Sequence, residues 1–149
     1  SEYLKVIHNK IAGDAPPIDL HYERRLQETC LELNRSGMLN SCHDVSEGGL
    51  AICIAECCIY SGRKFGANLH IDFQTRPDFY LFGEDQSVIV VSTQRACVSD
   101  IQRIAEQHDV HCQILGTVTE GNLICNSLID IEWDETGGRY LNSFPTGAS

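Results

Sequence analysis

Hydrophobic positions along the chain change period several times, and each change marks an element. Tyr22, Leu26, Cys30 and Leu33 recur at helical spacing between Asp19, placed as an N-cap, and Gly37, placed as a left-handed C-cap, so a helix is predicted there. Leu39 to Cys42 reads as a short strand, and His43-Asp44-Val45-Ser46-Glu47-Gly48-Gly49 as a corner. Leu50 to Tyr60 predicts a helix that is apolar almost all round, with Glu56 its only charge. A helix without a polar face has to be covered on most sides. Alternating Leu69, Ile71 and Phe73 predict a strand, followed by a turn at Arg76-Pro77-Asp78 and a short segment Phe79-Tyr80-Leu81-Phe82. Ser87 to Thr93 is a β-branched strand, and Cys97, Ile101, Ile104 and Ala105 share one face of a third helix. Gln113 to Thr119 and Leu123 to Ile131 predict a β-hairpin turned by Glu120-Gly121-Asn122, and a terminal helix is predicted over 134–144. The first 18 residues, ending at Ala15-Pro16-Pro17 and the residue after, read as an entry linker.

Helices and strands alternate, but the hairpin near the end excludes a purely parallel sheet. The expected fold class is α+β, a mixed, partly antiparallel sheet with packed helices. With 149 residues and 42% hydrophobic composition, residues 1–149 are expected to form a single domain around one core.

Charge narrows the partners. There are 11 basic against 21 acidic residues, a formal net charge of -10, and the only local basic clusters are Arg24-Arg25 and Arg63-Lys64. A nucleic-acid-binding domain normally carries a basic stripe, so no nucleic acid is expected. An acidic chain reaches phosphates through backbone N–H groups, a bridging divalent cation or a basic neighbour. No apolar run approaches the roughly 20 residues of a membrane helix. Nor does Ser1-Glu2-Tyr3-Leu4-Lys5 open a secretory signal, so a cytoplasmic setting is expected. The eight cysteines lack C-x2-C spacing and sit mostly at apolar positions, which points to buried, reduced thiols.

The corner is the most informative stretch. If Ser46 is the N-cap, Gly48 and Gly49 both fall in the first turn of the next helix, where two glycines cost up to about 2 kcal/mol relative to alanine. Two compensations stand open: another backbone packs against the turn, or a ligand approaches its free N–H groups. Asp44 is placed to hold a divalent cation bridging to a phosphate, whereas Glu47 at the helix start repels a bare anion. His43 reads either as a general base or as a hydrogen-bonded structural residue. Phe82-Gly83-Glu84-Asp85-Gln86-Ser87, at a strand entrance, reads either as a solvated turn or as a loop suited to substrate hydroxyls and amides.

Ser41-Cys42-His43-Asp44-Val45-Ser46-Glu47-Gly48-Gly49-Leu50-Ala51 resembles the Ser-Ala-His-Asp-Val-Ser-Asp-Gly-Gly-Leu-Ala block of the phosphoribosylformylglycinamidine synthase family. The block belongs to the second of two C-terminal-type domains of the aminoimidazole ribonucleotide synthetase superfamily. Ser1-Glu2-Tyr3-Leu4, Pro17-Ile18-Asp19-Leu20, Leu81-Phe82-Gly83-Glu84-Asp85-Gln86-Ser87 and Leu115-Gly116-Thr117-Val118 are similar to further family segments in the expected order. The Phe-Gly-Glu loop favours the small-subunit form. The resemblance implies the C-terminal domain of an ATP- and Mg2+-dependent ligase of purine biosynthesis. That enzyme converts formylglycinamide ribonucleotide to the amidine with glutamine-derived ammonia. It implies the superfamily's C-terminal-domain fold and, as partners, N-terminal domains of the same polypeptide with glutaminase and small accessory subunits.

By likeness to the sister domain, Asp44 (for magnesium), Ser46, Gly48 and Gly49 are candidates for a nucleotide or phosphate edge. Gly83, Glu84 and Gln86 are candidates for a substrate loop. No residue is assigned a catalytic role, and a structural or auxiliary part is expected, with the isolated piece inactive and prone to self-association. Asp85 stands where the family has serine, Glu47 where it has aspartate and Cys42 where it has alanine. The alternatives are a stand-alone oligomerisation module, or the C-terminal domain of another superfamily member such as selenophosphate synthetase.

Overall fold

A computed structural model describes residues 1–13, 16–62 and 65–132. Ala15 of the entry segment, the Arg63-Lys64 cluster and the helix expected over 134–144 lie outside the described residues. Contacts divide the chain into two compact units. The first comprises Ser1–Cys53 and Thr75–Ile114, the second Ile54–Gln74 and the chain from Leu115 onward.

In the first unit, helix α2 (Leu20–Arg35) forms where the periodicity placed it. Asp19 caps it, its side chain accepting the N–H groups of His21 and Tyr22. Gly37 (φ +69) follows its last turn in the left-handed conformation. Strands β1 (Leu39–Asp44) and β3 (Ile89–Thr93) pair antiparallel, with Asp44 opposite Ile89 and an irregularity between Leu39 and Ser41. A 3₁₀ turn (Arg95–Cys97) leads into α5 (Val98–Gln107). Leu26 packs with Ala105 and Val110, and Leu33 with Ile101 and Ile104, so the buried faces of α2 and α5 share one core. Thr29, buried on α2, donates its hydroxyl to the Arg25 carbonyl and leaves no unsatisfied oxygen.

The entry segment is not wholly a linker. Glu2–His8 form a helix, α1, that ends at Asn9 in the left-handed conformation and buries none of its residues. Arg76 to Phe82 likewise tightens beyond the expected turn and short segment. Pro77–Phe82 form helix α4 with proline in its first turn, where a missing N–H costs nothing.

In the second unit the order of strands is β4-β2-β5-β6, made by β2 (Gly66–Leu69), β4 (Gly116–Thr119), β5 (Leu123–Cys125) and β6 (Ile129–Ile131). The expected hairpin is corrected here. β4 and β5 are not partners, because β2 lies between them, antiparallel to β4 and parallel to β5. Residues 120–122 step over a whole strand rather than turning back beside it. The gap of two strand spacings, roughly 10 Å, is within reach of that connection. The true hairpin is β5–β6, so the single strand expected over Leu123 to Ile131 folds on itself around Asn126 (φ +49).

β2 also ends earlier than its alternation predicts. Ile71 remains buried, but its backbone is paired by the Asn126 side chain, which accepts the Ile71 N–H and donates to the Ile71 carbonyl (3.1 and 2.9 Å). An amide side chain here does the work of a neighbouring strand. The mixed sheet and packed helices agree with the expected α+β class.

Helix α3 (Gly49–Tyr60) is covered as its composition requires, with only Ile52 and Tyr60 exposed. The cysteines are less uniformly buried than expected. Cys53, Cys58 and Cys125 are buried, Cys42 is exposed, and the other four are half-buried. Burial, then the neighbouring Cys42 thiol, pushes Cys30 up to about 11. Burial, with a smaller effect of adjacent Cys57, does the same for Cys58. Such thiols carry little thiolate at neutral pH and are poor nucleophiles.

Candidate functional site

Two sequence blocks far apart in the chain meet because β1 and β3 run antiparallel. The end of β1 delivers the corner from His43 onward, and the start of β3 receives the loop from Gly83 onward. The pairing continues one step past the strands, the Val45 N–H donating to the Val88 carbonyl at 2.9 Å. Both blocks therefore lie at one end of the same two-stranded ribbon.

The corner is not built as its helical reading supposes. Helix α3 begins at Gly49, three residues beyond Ser46, and the Gly49 N–H donates to the Ser46 carbonyl (3.1 Å) to close a turn. Gly48 and Gly49 have φ of +84° and +75°, so they stand in the left-handed region and not in a helical first turn. Their lack of a side chain is a backbone requirement, and the helix-propensity cost assigned to them does not arise. Gly49 has a second reason. A β-carbon there would sit 2.6 Å from the Gly83 carbonyl oxygen and 2.8 Å from the Phe82 backbone. Of the two compensations open in the sequence, the close approach of another backbone is the one seen, and that backbone is the chain's own 82–83 segment. Gly83 is itself crowded, its β-carbon position lying 2.5 Å from the Phe79 carbonyl oxygen.

Glu84 fastens three segments together. Its Oε1 accepts the N–H of Gly48 at 3.1 Å and the N–H of Glu2 at 2.7 Å, and Tyr3 stacks on Phe82 with ring centroids 4.9 Å apart. Desolvation, the largest single influence, raises the Glu84 carboxyl. The two amide donors, with the charge of the chain's N-terminal amine, act against it, and the group is held below the ordinary glutamate value. A depressed folded value stabilises the fold above the unfolded value of about 4.5 and loses that contribution as pH falls through the folded one. Protection of the Gly48 and Glu2 amides, taken relative to their intrinsic exchange rate at each pH, is thus expected to fall on acidification below pH 4.5. In Glu84→Gln that acid-dependent step is expected to vanish, and exchange to be faster already at neutral pH.

The other candidates fall out as follows. Asp44 ends β1 with its carboxylate 77% exposed, and Ser46 is exposed beside it. The Gly48 N–H, a candidate for the phosphate edge, is committed to Glu84. Asp85 and Gln86 are exposed between the half-buried Glu84 and Ser87. His43 is half-buried, its Nδ1 2.7 Å from the Asp44 carbonyl oxygen and 3.6 Å from the Cys53 sulfur. Hydrogen bonding to that carbonyl assigns the proton to Nδ1. Among the described residues, no three His, Cys, Asp or Glu side chains are grouped to hold a metal ion.

Sequence reasoning missed Glu2 and Glu23. Glu2 contributes through its backbone N–H. Glu23 accepts the Ser87 hydroxyl at 2.5 Å and the Gln27 side-chain amide at 2.6 Å. These two donors, Ser87 first, hold the Glu23 carboxyl below the usual range. An acidic residue in the first turn of a solvated helix face carries no local signal of such a role.

The model of the family described as AIR synthase related protein, C-terminal domain, matches residues 1–125. A phosphoribosylformylglycinamidine synthase subunit PurL from Caldanaerobacter subterraneus subsp. tengcongensis is 40% identical over 142 residues, covering 95% of this chain and 18% of its own length. The chain thus spans under a fifth of that relative. Two solved structures share the fold at low identity. "T. maritima PurL complexed with ATP" superposes with a TM-score of 0.69 at 21% identity, over 78% of this chain and 22% of that one. "Structure of PurLQS from Thermotoga maritima" gives 0.68 at 20% identity, over 87% and 23%.

Proposed function

The chain belongs to the family of AIR synthase related proteins, C-terminal domain, and from that premise we propose that it is the last C-terminal-type domain of a phosphoribosylformylglycinamidine synthase of the small-subunit form. The whole enzyme would be an ATP- and magnesium-dependent carbon–nitrogen ligase of purine biosynthesis. Its reaction takes formylglycinamide ribonucleotide to the amidine with ammonia from glutamine. The N-terminal domains of the same polypeptide are the domain's immediate partners, and glutaminase and accessory subunits complete the assembly. The cytoplasm is its place of action.

The role within the enzyme is structural and auxiliary. The observation that carries this is the bond from the Gly48 N–H to Glu84, together with the seating of Gly49 on the Phe82–Gly83 backbone. These take up the glycine turn from within. Asp44 and Ser46 remain exposed as the edge that a neighbouring domain's nucleotide would meet, and of the substrate loop Gly83, Glu84 and Gln86 it is Gln86 that stays exposed. On this chain alone the donors do not fit a magnesium–phosphate site. Asp44 belongs to no group of three His, Cys, Asp or Glu side chains able to hold a metal ion among the described residues, and the Gly48 amide is spent. No step is therefore routed through either group here.

Val6, Ile7 and Ile11 are 71%, 62% and 92% exposed, which suits a piece whose surface other domains cover. The test pairs two measurements. The full-length polypeptide, supplied with ATP, magnesium and ammonia, is expected to convert formylglycinamide ribonucleotide. The 149-residue piece, titrated calorimetrically with magnesium–ATP, is expected to show no tight binding. Tight binding by the piece sinks the auxiliary role, and an inert full-length polypeptide sinks the synthase assignment.

A further inference from the structure

The loop from Gly83 to Ser87 is anchored by a carboxylate at each end. At its start the anchor is Glu84, bonded to the amides of Gly48 and Glu2. At its end Ser87 holds φ at +60°, a left-handed conformation that a residue with a β-carbon leaves unless something retains it. What retains it is Glu23. The Ser87 hydroxyl donates to Glu23 Oε2 at 2.5 Å, while Oε1 of the same carboxylate accepts Gln27 Nε2 at 2.6 Å from one turn further along α2. Both oxygens are thus engaged, and the carboxylate is aimed by its own helix. That helix is fixed in turn by Leu26 and Leu33 in the core of the first unit.

We infer that Glu23 is a positioning residue: by retaining Ser87 in the left-handed conformation it sets how the exposed pair Asp85 and Gln86 is presented beside the glycine turn. Without it Ser87 relaxes to negative φ, the peptide units on either side rotate, and the pair swings with them. The anchor itself is a property of this chain. Its consequence for turnover rests on the reading of residues 83–86 as a substrate loop.

The experiment uses the full-length polypeptide carrying Glu23→Ala, Ser87→Gly, both together, or Glu23→Gln. Amide exchange is read by mass spectrometry over residues 83–89, alongside kcat and KM for formylglycinamide ribonucleotide. Glu23→Ala is expected to raise exchange in the loop about tenfold while α2 and α5 stay within about twofold. Ser87→Gly occupies positive φ unaided. In that background the same Glu23→Ala change is therefore expected to move loop exchange less than about twofold. Glu23→Gln keeps an acceptor and is expected to fall between wild type and Glu23→Ala.

Equal effects of Glu23→Ala in both backgrounds, no effect in either, or a loss of protection spread through α2 and α5 would each overturn the inference. A raised KM with kcat retained supports the full claim. Loosened loop exchange with both constants unchanged upholds the anchor and removes residues 83–86 from the substrate reading.

Discussion

Gly49→Ala is expected to destabilise the chain by about 3 kcal/mol, the sum of two separable costs. A β-carbon at φ +75° is strained by roughly 1–2 kcal/mol. Overpacking adds about 1–3 kcal/mol more. The contact is severe because the atoms met are backbone. The Gly83 carbonyl oxygen would lie at 2.6 Å and the Phe82 Cα and carbonyl carbon at 2.8 Å. That segment is tied by the Glu84 bonds and by the stacking of Tyr3 on Phe82, so it has little freedom to retreat. Gly37→Ala is the control. Its φ is +69° with nothing within 4 Å of the new carbon, so it should show the conformational cost alone. Urea unfolding of both variants reads the difference. Equal losses would mean that the 82–83 segment yields freely, and that Gly49 is glycine for its dihedral angle only.

The second large effect is expected at Asn126, in the unit built on the four-stranded sheet. Its side chain supplies both hydrogen bonds to the backbone of Ile71, which is 4% exposed. Asn126→Ala leaves a buried N–H and a buried carbonyl without partners, each costing about 1–3 kcal/mol. It also places alanine at φ +49°. A loss of about 3–4 kcal/mol in unfolding free energy is expected on the same scale. Asn126→Gly removes the side chain but tolerates the dihedral angle, so the gap between the two variants isolates the backbone strain. Asn126→Asp keeps the acceptor for the Ile71 N–H and loses the donor to its carbonyl, which places it between wild type and Asn126→Ala. Thermal unfolding with matched denaturant curves ranks all three. If alanine were no worse than aspartate, the side-chain oxygen that accepts the Ile71 N–H would contribute nothing to holding the extended chain past β2.

Periodicity made the helices legible. Apolar spacing located the helix begun by Asp19 and the one bearing Ile101, Ile104 and Ala105, since each has a side to bury, and a continuous apolar run located the helix after the corner. The same reasoning located the strand pair of the first unit but not its partnership. In the second unit it failed over Glu120-Gly121-Asn122. A turn signal states that the chain changes direction, and is silent on whether the space beside it is filled by the next strand or by one arriving from Gly66. Entry helix α1 escaped because it buries no side chain, and burial is what periodicity reports.

The candidate site divides along the same line. The two blocks were conspicuous in the sequence because their composition is costly or crowded: paired glycines, and clustered polar groups at a strand entrance. Their meeting was not. It depends on the antiparallel register that sets Asp44 opposite Ile89. Glu84, a substrate-loop candidate in its block, also accepts the amides of Gly48 and Glu2, a role the block did not reveal. Glu23 gave no sign at all.

By itself the amino-acid sequence determined the class of fold and the position of both blocks, because local patterns of burial, capping and turn chemistry are written residue by residue, and its resemblance to known family segments pointed to the family. Only the tertiary structure decided which strands are neighbours and which amides are already taken. It also decided that Gly49 at the corner receives the chain's own backbone. Those outcomes come from pairing across tens of residues, where many partners satisfy the same local rules and packing selects one.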